Sequence, residues 1–203
     1  SEAASDKKVN IKFGSVNNTN HPVVRALNDE FKPSVEKLSG GNIKVQIFDN
    51  ASLGEEGQMI EQTQIGVVQM ASISEVISTI FPKINIMNLP YLFENNKQVD
   101  AVIDGKIGKK ILEGLDKQKL IGLGFFENGF RVTSNSKRPI NKLADIKGLK
   151  IRTPQSPAQI NIFNAFGANV TPLSFAELFS ALQQKVVDGQ ENGYNTIVTQ
   201  SFY

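Results

Sequence analysis

Of the 22 basic side chains in this chain of 203 residues, only Arg25, Arg131, Arg138 and Arg152 are arginines. Three of these four lie between positions 131 and 152. Lysine is enough for solubility. Arginine adds a planar fork that stays charged and presents two parallel N–H donors to a carboxylate or phosphate. Arg152 ends the stretch "GLKIRTP", where Leu149 and Ile151 alternate with Lys150 and Arg152. That period predicts a short half-buried strand, stopped by Thr153-Pro154. A guanidinium at a strand's carboxyl end can grip an acid. It can equally tie the Thr153-Pro154 turn to a neighbouring acidic side chain, and the strand alone does not decide between the two.

Other chemistries find little support. The chain has no cysteine, which excludes a disulfide scaffold, an iron–sulfur site and a thiol nucleophile. His21 is the only histidine, so His-rich zinc sites are excluded and a His-based triad would need His21 as its base. The segment from Gly105 to Lys110 has too few residues between its glycines for a phosphate loop, Gly122-Leu123-Gly124 lacks the third glycine of a dinucleotide fingerprint, and no nucleophile elbow occurs. Glu55 and Glu56 stand at a helix start, where acids need no catalytic explanation. Glu75 follows a strand, either as a loop acid or as a ligand contact. A net charge of +2, without a basic block interleaved with aromatics, does not indicate nucleic acid. No apolar run reaches the ~20 residues needed to cross a bilayer. No catalytic residue, metal or cofactor is expected.

The elements that must position these groups follow from periodicity. Val9, Ile11 and Phe13 predict a strand. From Pro22, the spacing of Val24, Leu27, Phe31, Val35 and Leu38 predicts an amphipathic helix, disturbed at Pro33 and ended by Gly40-Gly41. Ile43, Val45 and Ile47 make a second strand, residues 55–64 a short helix and residues 67–71 a third strand. The order β-α-β-α-β implies a mainly parallel sheet whose ligands bind beyond the carboxyl ends of its strands, at the loops 14–21, 48–54 and 72–78. Further on, a helix through residues 99–115, a strand over 120–126, the strands around Arg131 and Arg152, a helix starting at Pro157 and a capping box at Ser174-Phe175-Ala176-Glu177 are expected. The domain boundary falls near Phe126, giving units 1–126 and 127–203. The small polar opening, residues 1–8, reads as the start of a mature chain after removal of a signal peptide, or as a frayed end.

"GFRVTSNSKRPINKLADIKGLKIRTPQSP" and "LSFAELFSALQQKVVDGQEN" resemble the solute-binding proteins of TRAP transporters, the DctP family of organic-acid carriers. "HPVVRALNDEFKPSVEKLSGGNIKVQIFDNASLG" is similar to that family's opening strand–helix–strand, and "SEVISTIFPKINIMNLPYLF" to its crossover. The resemblance implies a two-lobed α/β fold of the periplasmic-binding-protein kind, with a ligand cleft between the lobes. It implies that Arg152 pairs with a solute carboxylate, that Arg131 supports it and that Asn192 contacts the same group; because each ends or follows a strand in the second lobe, the three are expected to converge. It places His21, Ser74 and Glu75 on loops that vary with the solute. Asn18 and Glu75 are among the side chains expected to hold sugar hydroxyls. Family members continue well beyond residue 203, so a fragment or a truncated chain is expected. The implied function is periplasmic: a monomer binds an organic acid, either a sugar acid such as a uronate or a dicarboxylate, and delivers it to the TRAP membrane permease subunits. The alternatives are a sugar-acid-processing enzyme and the effector domain of a regulator.

Overall fold

The computed structural model describes residues 8–203. The opening residues 1–8 read as a mature start therefore lie, except for Lys8, outside the described residues. The chain divides into two compact units, Ser1–Ser72 and Ile73–Tyr203.

The first unit is built on three parallel strands in the order β2-β1-β3: β1 (Val9–Gly14), β2 (Ile43–Phe48) and β3 (Met70–Ala71). Val9 pairs with Ile43 at one end of the β1–β2 ladder and Gly14 with Phe48 at the other. The expected first helix forms, but in three pieces: α1 (Pro22–Ala26), a π-helical turn (Leu27–Phe31) and α2 (Lys32–Leu38). The wide turn ends at Phe31, two residues before Pro33, which has no N–H to donate, and the Lys32 N–H reaches back to the Leu27 carbonyl. The helix continues through the proline instead of breaking. Phe13, Val23 and Leu27 form the core, with Phe31 edge-on to Phe13 at 5.5 Å between ring centres. Leu38, expected in the buried stripe, is exposed. α3 (Glu56–Gln64) starts from a capping box between Glu55 and Gln58. The third strand is shorter than expected, because Val67 and Val68 lie outside the ladder.

The second unit starts with 3-10 turns at Glu75–Thr79 and Pro82–Asn88. The helix expected over residues 99–115 is split into α4 (Asn96–Ile103) and α5 (Lys106–Leu112) at Asp104-Gly105. No strand forms over residues 120–126, and Ile121 and Leu123 are exposed. Alternation there favours extended backbone, but a ladder needs a neighbour and none pairs with it. The sheet has the order β4-β7-β5-β6: β4 (Arg131–Asn135), β5 (Lys150–Thr153), β6 (Asn169–Pro172) and β7 (Gly189–Gly193). β4 is antiparallel to β7, while β5 is parallel to both β6 and β7. α6 (Pro157–Ala165) packs Phe163 against Ile151 on one face. On the other, α7 (Phe175–Gln183) and α8 (Tyr194–Thr199) bring Leu178 and Ile197 against Val132.

The division after Ser72 differs from the boundary read near Phe126. The Glu75–Thr79 turn is joined to the start of α6 by a buried hydrogen bond between the Ser78 and Ser156 hydroxyls, 3.1 Å. Residues 73–126 thus pack with the sheet of the second unit.

A candidate anion-binding cluster

β7 carries the sequence "GQENG", and all five residues are buried in the middle of the sheet. A Cβ at Gly189 would collide with the Ser134 carbonyl, and one at Gly193 with the Asn128 carbonyl. Glycine at both ends lets a strand of polar residues be threaded between close neighbours.

Register decides where the polar side chains go. Arg152 is opposite Gln190, and Val132 opposite Asn192, so Arg152, Gln190 and Asn192 leave the sheet on one face. Arg131 is opposite Gly193 and leaves with Glu191 on the other. The two arginines expected to converge therefore start from opposite faces. Arg131 is the first residue of β4, and its long side chain reaches round the strand end: its Nη2 lies 3.4 Å from Asn192 Oδ1. Its Nε and Nη2 also bond the Glu191 carboxylate, and its Nη1 donates to Glu75 Oε1 at 2.6 Å. One guanidinium thus holds two carboxylates, with side-chain exposures of 12% for Glu75 and 3% for Glu191.

A relay of amides sets the asparagine. Gln190 Nε2 donates to Ser134 Oγ at 2.8 Å, and Asn192 Nδ2 donates to Gln190 Oε1 at 2.7 Å. This turns Asn192 Oδ1 toward Arg131. Arg152 is only 2% exposed, and its Nε and Nη2 share the Leu173 carbonyl at 3.0 and 2.8 Å. That bond ties the turn between β6 and α7 to the end of β5. α7 in turn begins at the expected capping box, where the Ser174 hydroxyl meets Glu177 Oε2 at 2.6 Å.

The two carboxylates differ. Burial pushes Glu75 up, but Arg131, backbone and Ser74 hydrogen bonds and Arg152 outweigh it and hold the group below the usual range. For Glu191 burial wins over Arg131, the charge of Glu75 adds to it, and the carboxyl is raised. Two acids sharing one cation do not ionise equally easily.

Ser74 precedes the turn that starts at Glu75, and its carbonyl accepts the Ile77 N–H at 3.2 Å. Asn18 and His21 belong to the first unit. There the Asn18 carbonyl accepts from the His21 N–H at 3.0 Å, Asn18 Oδ1 accepts from the Asn20 N–H at 3.1 Å, and His21 caps α1 by accepting from the Val23 N–H at Nδ1, 3.3 Å. His21 is 2% exposed, and burial lowers its pKa below 6.5. The loops beyond β1 and β2 are also tied to each other, by Thr19 to Asp49 and by the Asn50 N–H to the Asn17 carbonyl.

Glu191 and Gln190 were not foreseen. The available signal was "GQEN" after Val186-Val187, a polar run bounded by glycines. Such a run looks like a loop unless its burial is known. Among the described residues, no group of three or more His, Cys, Asp or Glu is placed to hold a metal, and no helix is long and apolar enough to cross a membrane.

The family profile of bacterial extracellular solute-binding protein, family 7 (DctP) matches residues 13–203. A solute-binding protein of Verminephrobacter eiseniae is 39% identical over 201 residues, covering 98% of this chain and 59% of the relative. The crystal structure of the sugar acid binding protein DctPAm from Advenella mimigardefordensis in complex with galactonate superposes with a TM-score of 0.93 at 41% identity, over 97% of this chain and 64% of that one. A TRAP periplasmic solute binding protein from Sulfurospirillum deleyianum with bound succinate gives a TM-score of 0.90 at 30% identity, over 97% and 63%. The chain thus spans about three fifths of the length of these relatives. With its mixed α/β fold and a match along almost its whole length, this chain belongs to the DctP family of TRAP solute-binding proteins.

Proposed function

We propose that this chain carries the carboxylate-recognising part of an extracytoplasmic, monomeric binding protein that takes up a sugar acid and hands it to TRAP membrane permease subunits. Arg152, Arg131 and Asn192 receive the carboxylate, and Ser74 and Glu75 accept hydroxyl hydrogen bonds. The observation that carries this reading is the meeting of Arg131, Asn192, Glu75 and Glu191 at the end of β4, within reach of the charge of Arg152 on β5. A buried guanidinium cluster recognises a planar carboxylate better than lysine would. The galactonate bound by the Advenella relative supports a sugar acid. The succinate bound by the Sulfurospirillum relative favours a dicarboxylate as the second reading. No enzymatic step is assigned, in keeping with a family of transport proteins.

Thermal-shift screening of the full-length protein against aldonates, uronates and dicarboxylates tests this. A solute at 100 times its Kd adds ~2.7 kcal/mol of stability. A panel in which no carboxylate raises Tm overturns the reading.

A further inference from the structure

Two guanidiniums, Arg131 and Arg152, are set against two carboxylates, Glu75 and Glu191, and these arginines are the cations that act on both acids. Arg131 has its Nε and Nη2 on Glu191 and its Nη1 on Glu75. Arg152 has its Nε and Nη2 on the Leu173 carbonyl. Glu75, with its pKa held below the usual range, brings a negative charge to the site before any solute arrives. A solute with two carboxylates would bring a second negative charge to a site that already holds Glu75, and among the described residues Arg131 and Arg152 are the cations that act on that acid.

Of the two acids, Glu75 is the more exposed, at 12% against 3%. It stands at the start of a 3-10 turn rather than inside the sheet, and Ser78 of the same turn is hydrogen-bonded to Ser156. We propose that Glu75 is a charge filter that makes the site accept acids with a single carboxylate and reject those with two. This rests on the carboxylate site assigned above. Glu75 also rewards the right class, because a carboxylate accepts hydrogen bonds from sugar hydroxyls but offers none to a second anion. Specificity of this kind depends on the repulsive element as much as on the attractive one.

The test compares galactonate with galactarate, which has the same carbon chain and internal hydroxyls but a second carboxylate. Calorimetric titration of the full-length wild-type protein is expected to favour galactonate by roughly a hundredfold or more, since like charges brought together carry a large penalty. Glu75→Gln keeps the size of the side chain and its contact to Arg131 but loses the charge. It is expected to narrow the galactonate-to-galactarate ratio by about tenfold or more. Two results overturn the filter: galactarate binding wild type within about threefold of galactonate, or Glu75→Gln weakening both acids equally, as a purely structural acid would. The wild-type ratio decides the matter even if the variant does not fold. If neither acid binds and no other monocarboxylate does, the carboxylate site itself is wrong and the filter falls with it. If monocarboxylates bind but the ratio is flat, only the filter falls.

Discussion

Arg152 holds the Leu173 carbonyl, and in the proposed function it also grips the solute; substitution separates the two. Lysine keeps the charge but not the fork, so Arg152→Lys leaves one ammonium to serve both the Leu173 carbonyl and the solute. Bonds to charged groups contribute ~1.5–3 kcal/mol each, so solute Kd is expected to weaken by roughly tenfold to a hundredfold. Because the side chain is 2% exposed and holds the turn before α7, Arg152→Ala is expected also to lose about 1–3 kcal/mol of stability without any solute present. Titration calorimetry and a melt on the same samples check both effects. A lysine variant with wild-type affinity would sink the bidentate role. His21 offers a second test. Its folded pKa lies below 6.5, so on acidification the unfolded chain takes the proton first. Its contribution to stability is therefore present above 6.5 and is lost as pH falls through that value toward the lowered folded pKa. His21→Asn keeps a good helix cap. It is expected to flatten the loss of stability between about pH 7.5 and 5.5, measured as urea midpoints. An unchanged pH slope would show that this imidazole is not the group responsible.

Among the elements, β7 governs the cluster. It supplies Gln190, Glu191 and Asn192 from one strand and sends them alternately to the two faces. The glycines at its ends let the Ser134 and Asn128 carbonyls come close. Gly193→Ala would push a methyl into the Asn128 carbonyl and move the strand end where Arg131 meets Asn192. A loss of about 1–3 kcal/mol is expected from the overpacking, together with weaker solute binding, because Asn192 is displaced. Chemical denaturation and titration of the same variant check this. Unchanged stability would mean that the backbone at β7 has more room than the close approach implies. The π-helical turn before Pro33 works in the same way on a local scale, letting the first helix keep its course where a missing N–H would otherwise end it.

At the scale of the molecule, each unit has its own sheet and core. The chain has no cysteine, and no cluster of metal-binding side chains gathers among the described residues. Solute affinity is therefore expected to be unchanged by EDTA and by reductants, measured by calorimetry before and after treatment. A loss of affinity on chelation would locate an oxygen-ligand site outside the anion cluster. The division after Ser72 also belongs to this scale. The sequence places a boundary near Phe126, but a buried pair of hydroxyls, Ser78 and Ser156, joins the preceding segment to α6, and contacts of that kind define a compact unit.

The residue pattern alone carried β1, β2 and β5 and the helix starts at Glu55 and Ser174, and it singled out the arginines at positions 131 and 152. Each of these depends on local rules: alternation, capping and the choice of a fork over a flexible ammonium. β7 was not legible, because a buried strand made of glycine, amides and an acid has no apolar period, and its burial comes from the neighbours on either side. Glu191 was missed for the same reason. The extended stretch at 120–126 failed in the opposite direction, since its pattern is that of a strand but a ladder needs a second strand to accept it. Only tertiary structure decided that Arg131 and Arg152 leave opposite faces, that Arg131 turns round the strand end to Asn192, and that Glu75 shares its guanidinium with Glu191. Register between strands far apart in the chain sets those meetings, and a one-residue shift would send each side chain to the other face.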